Sequence, residues 1–329
     1  MSSQKKEGGL IDKLCANASK IIKEHDLDVD KDKFLYLSQV TFPHGRADIV
    51  IYGLYKGLYV VPLGVEVKKQ VSSGTELFHY INQIRETYEH AFTYIYLAID
   101  RIKNNVRKLV EYYLSDIGYG FIKVSEGDVD VVVKASPKKA YRSEHDHNVV
   151  ASRGMLYISA RQALMDEGFV EENIRKSSVW IGLDLPINYC AFLYGNYAIF
   201  GVYARSLKRV EQLLEFLESR EDLLQSLRER GYRIYLESYL AVRGVRGVVH
   251  HLDEPISADV VKRLYSMVKR GIKPMPIPRW GAGLGIYKRL WNIESVPTYA
   301  TALRSIKDEL DQLRIFREEG IISVKATSS

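Results

Sequence analysis

Between residues 34 and 135, short apolar runs alternate with stretches of helical periodicity, and this alternation constrains the fold more than any other feature. The runs are rich in Val, Ile and Tyr and are bounded by turn residues, which is typical of β-strands. The predicted elements are a helix at 7–25, strands at 34–42, 47–55 and 58–69, a helix at 74–91, a strand at 92–99, a helix at 103–117, and strands at 120–124 and 129–135. This order, αβββαβαββ, predicts an α/β fold in which a mixed sheet carries helices on its faces.

A polar segment that contains Pro137 interrupts the pattern, as linkers between domains do. Apolar runs and helical stretches resume after it, so we expect a second α/β (α+β) domain. The sequence thus predicts a first domain at 1–140, a linker at 141–149 and a second domain at 150–329.

Composition excludes several classes of protein. The chain has 329 residues, of which 46% are hydrophobic and 27% charged, so it can bury the cores of two domains and is not disordered in bulk. No apolar run approaches the length of a transmembrane helix, and the first residues lack the apolar core of a signal peptide. Cys15 and Cys190 are too few for a disulfide framework or a Cys-rich zinc site. We therefore expect a cytoplasmic protein with no membrane partner.

One segment of the second domain is strongly basic. Residues 260–293 contain eight Lys and Arg residues and no Asp or Glu, interleaved with aromatic residues. Cations and aromatic rings together suit phosphates and stacked bases, so the segment predicts a nucleic-acid contact. A solvated basic face has a similar composition and is the alternative. The residues we expect to contact nucleic acid are Arg279, Trp280, Lys288 and Arg289, together with Lys69 of the first domain.

The residues with the clearest chemical potential lie on two neighbouring strands. Asp48 is near the start of the predicted strand at 47–55, and Glu66 and Lys68 lie near the end of the next one. Residues two apart on a strand point to the same face, so Glu66 and Lys68 project together while Val67 turns into the core. A short turn joins the strands, and their pairing would bring Asp48 beside Glu66.

Two carboxylates and an ammonium on one patch suit a hard divalent cation. The oxygens of Asp48 and Glu66 and the backbone carbonyl of Val67 can bind Mg²⁺ or Mn²⁺ and leave sites for water and phosphate. Such an ion activates water and stabilises the charge that builds on a phosphate. Lys68 can orient the attacking water or balance charge in the transition state.

The spacing of Asp48 and the triplet that runs from Glu66 to Lys68 resembles the motif of the PD-(D/E)xK nuclease superfamily, the restriction-endonuclease-like nucleases. Ala47 stands where that motif has its proline. The resemblance implies that Asp48 and Glu66 bind the metal and that Lys68 assists the attacking water.

The resemblance extends to the predicted helices and covers residues 1–140. Gln83 is followed five residues later by Tyr88, similar to the additional motif of the RecB-like branch, in which the glutamine supports the site. In archaeal Holliday-junction resolvases an acidic residue of the first helix completes the site. Glu7 is the best candidate for that role here, and Asp12 is the alternative.

The resemblance implies a Mg²⁺- or Mn²⁺-dependent nuclease that hydrolyses phosphodiester bonds in DNA, in repair, recombination or defence. Many relatives act as dimers, so a homodimer is compatible with it. Three alternatives stay open: a non-catalytic nucleic-acid-binding or scaffold protein on the same fold, a nuclease directed at RNA, and a purely structural pairing of Glu66 with Lys68 on a strand face.

Overall fold

The computed structural model divides the chain into two compact units, Met1–Ile158 with Ile293–Thr301 and Ser159–Asn292 with Ala302–Ser329. It describes residues 2–30, 32–125, 128–242, 245–271, 273–276 and 283–323. Within these ranges, the side chains of residues 2–8, 237–242, 245–251 and 273–276 are not described.

The first unit follows the predicted order of helices and strands, and the α/β fold class is confirmed. Its helices are α1 (Ser2–Ala16), α2 (Ala18–Lys23), α3 (Gly74–Thr87) and α4 (Asn104–Asp116). Its strands are β1 (Phe34–Phe42), β2 (Gly45–Tyr55), β3 (Tyr59–Val71), β4 (Tyr94–Ile102), β5 (Gly120–Val124) and β6 (Val129–Val133). The predicted helix at 7–25 is two helices that meet at Asn17, and the one at 74–91 ends as the short 3₁₀ helix Tyr88–His90.

The six strands of this unit form one mixed sheet within the described residues, in the order β1-β2-β3-β4-β5-β6. The pairs β3–β4 and β4–β5 are parallel, and the other neighbours are antiparallel. Strand β3 lies in the interior of this sheet, and residues Leu63–Val67 are all buried. A parallel-paired strand that is covered on both faces is apolar throughout, so the charged Glu66 at this position needs a partner.

Helices cover both faces of the sheet. Leu10 and Leu14 of α1 and Ile21 of α2 pack in one cluster with Val65 and Val67 of β3. Helix α3 contacts β2 and β3, and α4 contacts β5. Because successive strand residues alternate between faces, Glu66 and Lys68 point away from α1, toward α3.

Local sequence signals fix where α3 begins. The Ser73 hydroxyl accepts a hydrogen bond from the Glu76 amide at 3.2 Å, and the Glu76 carboxylate accepts one from the Ser72 amide at 2.6 Å. The first contact satisfies an amide that the first turn of a helix leaves without an intrahelical partner, and the second ties the residue before the cap to that turn. The cap fixes the register of α3 and thereby the position of every side chain that it directs toward β3.

The predicted linker at 141–149 differs from the structure. From Glu144 onward it forms the start of α5 (Glu144–Asp166), and the division between the two units falls inside this helix. Ser143 and Asp146 hydrogen-bond reciprocally at its start, and the fully buried Asp146 also accepts the His44 amide at 3.0 Å. Helix α5 has buried residues on every side, so its sequence lacks the apolar stripe by which a surface helix is recognised.

The second unit contains an antiparallel sheet that has eight strands in the described ranges, in the order β12-β11-β14-β10-β9-β8-β7 with β13 beside β11. Its strands are β7 (Ile174–Lys176), β8 (Trp180–Leu183), β9 (Ile187–Tyr194), β10 (Tyr197–Ala204), β11 (Arg233–Val242), β12 (Val245–Pro255), β13 (Lys273–Pro276) and β14 (Leu284–Asn292). The remaining helices are α6 (Leu207–Glu218), α7 (Glu221–Glu229), α8 (Ala258–Lys269), α9 (Tyr299–Gln312) and α10 (Ile315–Glu318). No helix of the described chain is long and apolar enough to cross a membrane.

Candidate active site

Asp48 and Glu66 lie beside each other where β2 and β3 separate. The paired register of these strands ends at Ile49↔Val65, and Asp48 and Glu66 are the next residues in line. In place of a backbone pair, the Val67 amide donates a hydrogen bond to Asp48 Oδ2 at 2.9 Å. Asp48 and Glu66 therefore lie next to each other in the structure, as the pairing of the two strands predicts.

The Glu66 carboxylate is buried and surrounded by donors. The residue is only 4% exposed. Lys68 Nζ lies 2.6 Å from Oε1, Gln83 Nε2 donates to Oε1 at 3.2 Å, and the Tyr88 hydroxyl donates to Oε2 at 2.7 Å. A charge buried this deeply is tolerated when it is paired and hydrogen-bonded, and Glu66 has both kinds of contact.

Gln83 links the acidic and basic members of the site. Its side-chain oxygen accepts from Lys68 Nζ at 3.3 Å while its nitrogen donates to Glu66. Tyr80, one turn earlier on α3, places its ring 4.7 Å from the same ammonium. Residues three apart on a helix share a face, so Tyr80 and Gln83 hold Lys68 together.

Tyr88 connects both carboxylate residues. It is 1% exposed, and its hydroxyl accepts from the Asp48 amide at 3.1 Å while donating to Glu66. Gly64 allows this approach, because a methyl group there would lie 2.6 Å from Tyr88 Cδ1. Burial, followed by the charges of Glu66 and Asp48, raises the pKa of Tyr88 well above its usual value, so the phenol remains a neutral donor.

The two carboxylates of the site carry more negative charge than Lys68 balances. Burial, and then the negative charge of Asp48, raises the pKa of Glu66, while Lys68 and the hydrogen bond from Tyr88 oppose that rise. Two carboxylates in a low-dielectric setting repel each other, and one ammonium balances only one of them. A divalent cation would supply the missing positive charge.

The donor set fits a hard divalent cation of the Mg²⁺ or Mn²⁺ type. The N–H and C=O of one strand residue point to the same side, so the Val67 carbonyl faces β2 together with the amide that binds Asp48. Two carboxylates and a carbonyl are oxygen ligands that leave positions for water and substrate. Among the described residues, no group of three or more His, Cys, Asp or Glu side chains is placed to hold a metal ion.

Gln39 of β1 also belongs to the site, although no motif in the sequence predicts it. Its side-chain nitrogen donates to Asp48 Oδ1 at 3.2 Å. Its φ of 54° lies in the left-handed region, and it has no partner in a register that runs from Ser38↔Ile49 to Val40↔Ala47. Nothing in a strand-like run of apolar residues signals this conformation, because glutamine has no preference for it.

The predicted first-helix acid remains a prediction. Glu7 lies in α1, but its side chain is outside the part of the chain whose side chains are described. The alternative, Asp12, is exposed on α1. Since α1 packs on the face of the sheet that Val67 occupies, this helix lies across the sheet from the Glu66 carboxylate.

The residues predicted to contact nucleic acid differ in their surroundings. Arg279 and Trp280 lie outside the described residues. Lys288 Nζ lies 2.8 Å from Glu309, and Arg289 lies 3.2 Å from Asp253 and packs on the Tyr197 ring. Two further cations of 260–293 pair in the same way, Arg263 with Glu254 and Lys269 with Glu211. Acidic residues from outside the segment thus neutralise much of a charge that looks unbalanced in the sequence.

Comparison with known proteins adds no further constraint on this site. No protein-family model matches the chain, and no curated protein sequence matches it either. Any function assigned to the chain therefore rests on the arrangement of Asp48, Glu66, Lys68, Gln83 and Tyr88.

Proposed function

We propose that this protein is a metal-dependent nuclease that hydrolyses phosphodiester bonds in DNA. The observation that carries the proposal is the convergence of Asp48, Glu66 and Lys68 on one face of the sheet, with Gln83 hydrogen-bonded to both Glu66 and Lys68. A pair of carboxylates, one buried and one half-buried, beside a fixed ammonium has the chemistry that phosphodiester hydrolysis requires.

Each residue has a separate role in this proposal. Asp48, Glu66 and the Val67 carbonyl would hold Mg²⁺ or Mn²⁺, which supplies an activated water and offsets charge on the phosphate. Gln39 and Tyr88 fix the two carboxylates from opposite sides. These contacts offset the repulsion between the two carboxylates before substrate binds, so the site is preorganised for the reaction.

Lys68 is placed to act on the water and the phosphate. Gln83 and Tyr80 restrain its ammonium, so it need not be reorganised during the reaction. It can donate a hydrogen bond to the attacking water and offset the negative charge that develops on the phosphate oxygens. In comparable sites, removing such a fixed donor lowers the rate about 10²–10³-fold.

DNA is the proposed substrate because the site resembles that of DNA-cleaving enzymes, and an RNA-directed nuclease is the alternative that the assay must separate. Labelled duplex, single-stranded, flap and four-way-junction DNA, and RNA of the same sequences, would be incubated with Mn²⁺, Mg²⁺ or EDTA. Cleavage is expected with either metal and not with EDTA. Cleavage of RNA alone would replace the proposed substrate.

Matched variants make the assay specific for the site. Asp48→Ala and Glu66→Ala should abolish cleavage, while Glu86→Ala, an exposed glutamate on the same helix as Gln83, should cleave like the wild type. Binding of DNA without cleavage by any metal would instead favour the non-catalytic scaffold. Wild-type cleavage by Glu66→Ala would place the reaction elsewhere.

A further inference from the structure

A second site lies behind the candidate active site, on the other face of the same strand. A pocket of about 300 Å³ opens between α1 and the carboxyl ends of β3 and β4. Its lining residues are Gly9, Leu10, Lys13, Lys69, Asp100 and Arg101. It lies in the first unit and shares no side chain with the catalytic group.

The pocket carries a positive charge. Lys13, Lys69 and Arg101 contribute three cations against the single carboxylate of Asp100. Arg101 lies 3.8 Å from that carboxylate, so the acidic charge is already balanced from within the pocket. No acidic side chain that the structure describes forms an ion pair with Lys13 or Lys69, and Asp100 is the acidic residue among those lining the pocket.

The alternation of the strand puts Lys69 here. Lys68 points toward α3 and the catalytic carboxylates, so the next residue points toward α1. Lys69 and Asp100 are neighbours across the parallel pair β3–β4, between Lys68↔Ile99 and Gln70↔Arg101. Adjacent residues of one strand therefore serve two sites on opposite faces.

The shape of the pocket favours a compact ligand. Leu10 is 6% exposed and forms an apolar floor that ties the pocket to the core. A methyl group on Gly9 would meet nothing within 4 Å, so the wall on the α1 side is open. A volume of about 300 Å³ accommodates a small anion.

We propose that this pocket binds a phosphate group, and that in the nuclease this group is a backbone phosphate of the nucleic acid. The second clause rests on the proposed function, while the first does not. Lysine ammonium groups are strongly hydrated point charges that suit phosphate, and two of them match a phosphate better than a carboxylate, which carries one negative charge. The same chemistry also fits a free inorganic phosphate.

Binding measured in EDTA tests the pocket without any cleavage. Inorganic phosphate would be followed by ³¹P line broadening, and a short fluorescent single-stranded DNA by anisotropy across a salt series. Lys13→Ala and Lys69→Ala should weaken both probes and lower the salt slope for DNA by about one per lysine. Lys108→Ala, an exposed lysine on α4, is the matched control and should leave both unchanged.

A steric variant separates a pocket from diffuse surface charge. Gly9→Leu keeps every cation, improves helix propensity and places a side chain at the open wall. It should reduce binding as strongly as Lys69→Ala does. Loss for DNA alone assigns the site to a strand phosphate, and loss for inorganic phosphate alone assigns it to the free ion.

Two results overturn the inference. One is unchanged binding of both probes in Lys13→Ala and Lys69→Ala. The other is full binding by Gly9→Leu together with losses in the lysine variants, because the cations would then act without a pocket. Failure of the nuclease proposal has a different signature, cleavage by Glu66→Ala, and leaves phosphate binding in place.

Discussion

Among single residues, Gln39 shows how backbone conformation and charge are combined at the site. A left-handed residue other than glycine costs about 1–2 kcal/mol, and here that residue donates a hydrogen bond to Asp48. Strained backbone tends to persist where function requires it. Gln39 thereby gives one oxygen of Asp48 a donor, while the Val67 amide donates to the other oxygen.

Two substitutions of Gln39 separate strain from hydrogen bonding. Gln39→Gly removes both, and Gln39→Ala removes only the hydrogen bond. The glycine variant should therefore be more stable to urea than the alanine variant by about 1–2 kcal/mol. Both should require more Mn²⁺ for half-maximal cleavage. Equal metal requirements in wild type and both variants would show that the contact does not position Asp48.

His25 predicts how stability depends on pH. It is 5% exposed, stacks on Tyr94 at 3.7 Å and shares a hydrogen bond with the Tyr96 hydroxyl. Burial, aided by the charge of Lys134 and opposed by that of Asp26, lowers its pKa from 6.5 to about 4. The unfolded chain therefore binds a proton that the folded chain rejects between these values.

Stability should consequently fall as pH is lowered from about 6.5 to about 4, by as much as about 3 kcal/mol from this residue. Urea unfolding at several pH values measures the slope. His25→Gln should flatten it, and His79→Gln, an exposed histidine of α3, should not. A slope that survives in His25→Gln would assign the effect to other groups.

Alternation on a strand and register between paired strands follow from sequence order, and they predict that Asp48, Glu66 and Lys68 lie together. The sequence pointed to Gln83 only through its resemblance to a known motif. It could not identify Gln39 as a partner of Asp48. That contact depends on a backbone angle, and neither residue pattern nor side-chain chemistry encodes it.

Among the secondary-structure elements, the packing of α3 on β3 controls the site. Gly64 of β3 lies beneath the rings of Tyr88 and Phe92, each 2.6 Å from the place where a methyl group would lie. The close approach lets the Tyr88 hydroxyl reach Glu66 and the Asp48 amide. The strand thus needs a residue without a side chain two positions before Glu66.

Gly64→Ala should force Tyr88 away from the strand. We expect a loss of about 1–3 kcal/mol in the free energy of unfolding, as for other overpacked cores, and a larger fractional loss of cleavage. Gly9→Ala is the matched control, since a methyl group there meets nothing and should stabilise α1 by about 0.5–1 kcal/mol. Wild-type stability in Gly64→Ala would show that the ring can move without cost.

Element boundaries were predictable where periodicity was strong and not elsewhere. The strand at 34–42 was predicted at its observed bounds, whereas residues 144–149, which begin α5, were predicted as linker because they are mostly polar. One apolar stripe runs through residues 206–230, yet they form two helices, α6 and α7, separated at Ser219 and Arg220. A continuous apolar stripe does not reveal such a break.

For the molecule as a whole, charge patterning along the sequence differs from charge patterning in space. The basic segment 260–293 has no acidic residue of its own, yet Lys288 pairs with Glu309, which is 5% exposed. Composition cannot predict such an ion pair, because it joins residues that are far apart in the sequence. The nucleic-acid role of this segment stays a prediction, and Lys288 has a structural role beside it.

Lys288→Ala should leave the buried Glu309 without its cation. We expect the second unit to lose about 1–3 kcal/mol of stability, measured by urea unfolding. Lys262→Ala, an exposed lysine in the same segment, should change stability by less than about 0.5 kcal/mol. If Lys288→Ala instead keeps its stability and lowers the salt dependence of DNA binding, the lysine serves the nucleic acid and not the fold.

Direct titration of Mn²⁺, followed by the loss of its free electron paramagnetic resonance signal, is the measurement that bears most closely on the proposed catalytic centre. Wild type and Glu86→Ala should bind Mn²⁺ at this site, and Glu66→Gln, which keeps the size of the side chain, should lose that binding while remaining folded. The same protein samples should show cleavage only where the ion binds. Equal Mn²⁺ affinity in wild type and Glu66→Gln would contradict the assignment of Asp48 and Glu66 as a catalytic metal site.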